Sequence, residues 1–139
     1  MSKPFETLDH TADTGFRAWG STVAELFENS AIAMLALSAD TSAVEEREQK
    51  RIELESEGYE SLLVDWLNEI LYLFDSDAFA PKSFHVDEIT PKRIKARLIG
   101  EQRDPKRHPW TLIIKAVTYY ELRVEQRNGR WESQVFLDI

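Results

Sequence analysis

Between Tyr59 and Phe74 the chain carries an apolar stripe that leaves few choices for its fold. Leu62, Leu63, Trp66, Leu67, Ile70, Leu71 and Phe74 recur at the three- and four-residue spacing of a helix. At 1.5 Å per residue that helix is about 24 Å long. Its apolar face is too wide for one side of a surface helix, so it is expected at the centre of the core. Gly58 precedes it and Asp75-Ser76-Asp77 closes it. Whatever else the chain forms must wrap this element.

A second helix is expected from about Thr22 to Leu37. Thr22 followed by Glu25 is a capping-box pattern, and Val23, Leu26, Phe27, Met34 and Leu37 follow with helical spacing. The remaining apolar residues alternate, as strands do. Arg51 to Glu55 reads as a half-buried strand, Phe84 to Val86 begins another, and Ile94, Ala96 and Leu98 alternate with Lys95 and Arg97 after the Thr90-Pro91-Lys92 turn. Ile114 to Tyr120 reads as strand leading into Leu122 and Val124. Asn128-Gly129 then signals a hairpin, with Trp131 to Leu137 returning. Strand, helix and strands, twice in succession, predict an α+β fold. The expectation is a single domain over residues 1–139, with a mixed or mostly antiparallel sheet and two main helices packed on it.

Composition narrows the function. The 139 residues suit one domain with a sizeable core. Cys is absent, which excludes disulfides, thiolate zinc sites and a Cys nucleophile. No apolar run approaches bilayer length and no signal-peptide pattern opens the chain, so a cytoplasmic protein without membrane contact is expected. The net charge of −8 disfavours a surface built to hold a phosphate backbone. It suits cation binding or a basic partner face.

The densest chemistry lies in Leu8-Asp9-His10-Thr11-Ala12-Asp13-Thr14-Gly15, which puts two carboxylates and an imidazole at the corner of a hairpin. No glycine-rich phosphate loop, GxSxG elbow, HExxH or EF-hand pattern occurs, and three scattered His do not suggest a His-based zinc site. Oxygen donors remain: Asp9, Asp13, Asp138 and the terminal carboxylate of Ile139, a set that suits Ca²⁺ or Mg²⁺. On one straight strand Asp9 and Asp13 would stand about 13 Å apart. Without a sharp bend only one could hold the ion, and Asp13, beside the turn, is the better placed. Two further candidates are weaker. Asp65 and Glu69, one helical turn apart, could form a second half-site or simply an exposed face. Arg103, Lys106, Arg107 and His108, between Gly100 and Pro109, form a basic loop that could touch an acidic partner or RNA.

Four motifs in order resemble the archease family: Leu8 to Gly15, Leu62-Leu63-Val64-Asp65-Trp66-Leu67-Asn68-Glu69-Ile70-Leu71, Ile114 to Tyr119, and Phe136-Leu137-Asp138-Ile139. They span almost the whole chain. Thr14 stands where Val or Ile is expected, and Tyr120 where a His is usual. The resemblance implies an auxiliary protein with no catalytic constellation of its own, which promotes guanylylation and turnover of an RtcB-type tRNA-splicing ligase. It implies a Ca²⁺ site formed by Asp13, Asp138 and Ile139, with Mg²⁺ or another divalent cation as the alternative. Asp9, His10 and Lys115 would support the ion or contact the partner, and RNA contact would be indirect or weak at most. A small metal-dependent hydrolase using Asp13 and His10, or a chaperone for RNA-modifying enzymes, are the alternative functions. The oligomeric state is left open.

Overall fold

The computed structural model of the chain describes residues 4–9, with the backbone alone at Asp9, and 14–139. The central helix is α2, Tyr59–Asp75, and nine of its residues are buried, among them Trp66, Leu67, Ile70 and Phe74. The other helix, α1, is Val23–Ser38. Thr22 caps it by accepting from the Glu25 N–H at 3.1 Å. Glu25 reaches back one residue further than the usual capping box, accepting from the Ser21 N–H at 3.0 Å.

The strands, expected in one sheet, divide into two, and every pairing is antiparallel. The larger contains β1 (Phe5–Asp9), β2 (Thr14–Gly20), β6 (Ala116–Val117), β7 (Arg123–Arg127) and β8 (Arg130–Asp138). There β8 pairs with β2 along one edge and with both β6 and β7 along the other. The smaller sheet orders β3 (Glu48–Glu55), β5 (Arg93–Gln102) and β4 (Phe79–Thr90). Both helices touch both sheets: α1 packs on β1, β2, β8 and β4, and α2 on β6, β7, β3 and β4. This explains why each helix is apolar well beyond one narrow stripe. Ala31 and Ala33 are fully buried on α1, and the Trp66 indole N–H donates to the Phe27 carbonyl at 3.0 Å, tying the two helices together.

Two strands are longer than their alternation suggests. β3 begins at Glu48, within a charged run, because the run pairs with β5 as far as Gly100. β4 extends back to Phe79 and absorbs Pro81 at a register shift. Conversely, the apolar run from Ile114 to Tyr120 forms only the two-residue β6. The Asn128-Gly129 hairpin forms as expected, with both residues at positive φ, 53° and 76°.

Candidate functional site

The first hairpin and the last strand meet. β1 and β2 pair from Phe5↔Ala18 to Asp9↔Thr14, so the chain reverses between Asp9 and Thr14. On its other edge β2 pairs with β8 from Gly20↔Trp131 to Thr14↔Leu137. Thr14, the chain neighbour of Asp13, is therefore in register with Leu137, the neighbour of Asp138. His10 and Asp13 lie outside the described residues.

Asp138 closes this corner from the C-terminal side. It is exposed, as is Ile139 at 42%. Its main chain is held in place, because the Lys115 N–H donates to the Asp138 carbonyl at 2.8 Å and Ala116 pairs with Asp138. Lys115 is thus brought to the corner on the opposite edge of β8 from Thr14, with an exposed side chain. The short β6 is positioned by α2. Asn68 presents its side-chain oxygen to the Val117 N–H at 3.0 Å, and Thr118 bonds the Phe136 carbonyl through both its N–H and its hydroxyl, each at 3.1 Å. The motif residue Asn68 thereby acquires a role that its helical pattern could not show: it links the central helix to the short strand that follows Lys115.

The outer face of the sheet beside this corner is aromatic. Phe136 points away from the core side, since Val135 and Leu137 alternate inward to the core cluster. It is nonetheless only 6% exposed, because it lies over Gly15 and against Tyr120, whose ring centroid is 5.5 Å away. Gly15 is required by this approach. A Cβ there would stand 2.4 Å from the Val135 carbonyl oxygen and 2.9 Å from Phe136 Cδ1. Tyr120, where the family pattern leads one to expect His, is thus a packing partner of Phe136.

The donors described at the corner are oxygens, the chemistry that a hard divalent cation takes. Among the described residues no group of three or more His, Asp or Glu side chains is placed to hold a metal ion. Asp65, exposed on α2, and Glu69, one turn further along, belong to no such group.

The basic loop turns inward. His108 is fully buried, and its Nδ1 accepts from the Asp104 N–H at 2.9 Å, so its Nε2 carries the hydrogen and donates to Glu101 at 3.1 Å. Arg107 donates to the same Glu101 oxygen at 3.2 Å and to the Ala43 carbonyl at 2.9 Å. Arg103 donates to the His108 carbonyl at 3.1 Å and lies over the Phe74 ring, 4.2 Å from its centroid. The Glu45 N–H donates to Glu101 at 2.8 Å. That bond foremost, against the cost of burial and with help from Arg107 and His108, holds the Glu101 carboxyl below its ordinary range. Three of the four basic residues are thus committed to one buried carboxylate or to the adjoining aromatic core. They brace the loop from within.

These features define a small α+β domain with two antiparallel sheets around a helix pair and a carboxylate-bearing corner where the first hairpin and the last strand meet. The family model "Archease protein family (MTH1598/TM1083)" matches residues 5–139, and the chain belongs to that family. The protein archease of Methanosarcina mazei is 45% identical over 143 residues, covering 100% of this chain and 98% of that protein. That of Methanopyrus kandleri is 37% identical over 139 residues, covering 98% and 99%. The solution structure of Methanobacterium thermoautotrophicum protein 1598 superposes with a TM-score of 0.75 at 35% identity, over 99% of this chain and 100% of that one. The crystal structure of a Thermotoga maritima archease, described as a possible chaperone, has a TM-score of 0.66 at 23% identity and shares the fold, over 100% of this chain and 98% of that one.

Proposed function

We propose that this chain activates an RtcB-type tRNA-splicing ligase, promoting its guanylylation and turnover, and that it does so with a Ca²⁺-bearing corner formed by Asp13, Asp138 and Ile139. The observation that carries the reading is the register Thr14↔Leu137 in a chain of this family, since it brings the neighbours of Asp13 and Asp138 to one strand end. The ion, when bound, supplies a concentrated positive charge that offsets clustered carboxylates. The chain's own part is positional. The Lys115 N–H fixes the Asp138 main chain, and Asn68 fixes the short strand that follows Lys115. Asp9 and His10 precede Asp13 in sequence and are assigned to supporting the ion or contacting the ligase. Lys115 presents a cation next to the site, suited to a carboxylate or phosphate on the ligase. Mg²⁺ or another divalent cation could take the same oxygens. RNA contact is indirect in this reading.

The test is a guanylylation assay of the cognate ligase with and without the pure protein, in Ca²⁺ and in chelator. Stimulation that requires Ca²⁺ and is lost in Asp13→Asn supports the reading. Phosphoester hydrolysis by the isolated protein would make it an enzyme instead. Suppression of aggregation that is indifferent to Asp13 would make it a chaperone.

A further inference from the structure

Away from that corner, the outer face of the five-stranded sheet carries a row of side chains set by register: Glu6 opposite Arg17, Arg17 opposite Gln134, and Gln134 opposite Arg123. Two guanidinium groups converge there on one neutral oxygen. Gln134 Oε1 accepts from Arg17 Nε at 3.0 Å and from an Arg123 terminal nitrogen at 2.6 Å. Gln134 is only 5% exposed, and its Nε2 is committed to the Glu121 carbonyl at 2.9 Å, so the amide is oriented with its oxygen toward the arginines. Around the pair lies an open cleft of about 210 Å³, lined also by Trp19, Glu125, Arg127 and Glu132.

The charge balance of this cleft is uneven. Glu125 and Glu132 are engaged by Arg127, at 2.7 Å and 3.8 Å, and Glu132 also by Arg130 at 3.6 Å. Arg17 is partly offset by Glu6 at 3.1 Å. Arg123, exposed, has among the described residues only the neutral Gln134 as its side-chain partner. Two cations brought together over an amide repel one another, and a neutral acceptor relieves only part of that. In a chain of net charge −8, a cleft left with about one excess positive charge is a selective feature.

We infer that the Arg17–Gln134–Arg123 cleft is a docking point for a single carboxylate, presented by an acidic side chain of a partner protein. One excess charge matches one monoanion. The Arg fork suits a planar carboxylate, and Glu125 and Glu132 at the rim repel a polyphosphate chain. The cleft is separate from the ion corner, with Phe136 lying between Gln134 and Asp138 on the same face of β8 and about 13 Å of strand separating the two ends of that run. The inference does not rest on the ligase reading.

The experiment is an NMR titration of the ¹⁵N-labelled chain at fixed ionic strength, following the Arg17 Nε–H and the Gln134 side-chain amide. The probes are an acetylated Gly-Asp-Gly amide, its Gly-Asn-Gly counterpart and a short 5′-phosphorylated RNA oligomer. The expected result is saturable shifts at both groups with the Asp peptide only. Loss of one charged hydrogen bond in Arg123→Gln should weaken that binding by about tenfold, whereas Arg93→Gln on the other sheet should leave it unchanged. Should Arg123→Gln disturb the fold, seen in its backbone amide spectrum, Arg17→Gln serves as the second variant. Equal shifts with the Asn peptide, non-saturating shifts, or preferential binding of the RNA would each overturn the inference.

Discussion

Replacing Gly15 with Ala should destabilise the protein although it adds only a methyl group. The new Cβ would lie 2.4 Å from the Val135 carbonyl oxygen and 3.3 Å from Phe136 Cα, both of them backbone atoms of β8 that cannot rotate away. Overpacking of this kind costs about 1–3 kcal/mol, and a clash with main chain belongs at the upper end. Removing a glycine from the unfolded chain returns about 0.4–1 kcal/mol. The balance is a loss of about 2 kcal/mol, which for a domain of this size lowers the melting temperature by about 6–10 °C. Because the displaced pairing is Gly15↔Phe136, next to Thr14↔Leu137, the corner should open as well. Denaturant melts in chelator measure the first effect, and calorimetric titration with Ca²⁺ the second. Leu98→Ala in the other sheet serves as a comparison that lowers stability away from the corner. A Gly15→Ala protein within about 0.5 kcal/mol of the original would refute the reasoning, since overpacking against fixed backbone cannot be that cheap.

Three further outcomes are expected. Leu67, fully buried on α2, should lose about 2–5 kcal/mol on change to Ala through the cavity left behind, measured by denaturant unfolding. Glu101 has its carboxyl held below the ordinary value of 4.5, so its contribution is complete above that pH and fades as pH falls through the lower folded value. Glu101→Gln should therefore flatten the acid limb of the stability–pH curve, and an unchanged limb would exclude this network as its source. Asp138→Asn should weaken Ca²⁺ binding by calorimetry while leaving the melt in chelator unchanged, because the side chain is exposed and its structural bond is made by its carbonyl.

What the sequence revealed and what it concealed divide along the range of the interactions. Thr22 with Glu25, Asn128 with Gly129, and the stripe from Leu62 to Phe74 are local patterns, and each produced the expected element. The Ile114 to Tyr120 run did not become a long strand: Lys115 and Thr118 donate to β8, but the Val117 N–H between them goes to Asn68 on α2. The cations of the basic loop look free for a ligand until Glu101 is seen buried behind them. At the candidate corner, the residue types were visible in sequence but not their meeting. That meeting depends on β2 pairing with β8 across nearly the whole chain, and no local pattern encodes such a register. The same pairing creates the Arg17–Gln134–Arg123 row, whose only trace in sequence is the alternation of Glu132, Gln134 and Phe136 with inward residues.

The position of β8 also governs the order in which the larger sheet can be made. It is the strand on which β2, β6 and β7 all pair, and it is the last of the four to leave the ribosome. Until residues 130–138 emerge, β2 has one open edge, and β6 and β7 have no partner in the sheet. Unpaired edges are templates for pairing with other chains, and synthesis at about 5–20 residues per second leaves them waiting for seconds. A nascent chain halted before Arg130 would therefore hold both helices and the smaller sheet but only the unjoined strands of the larger one, and should be the species most prone to aggregate.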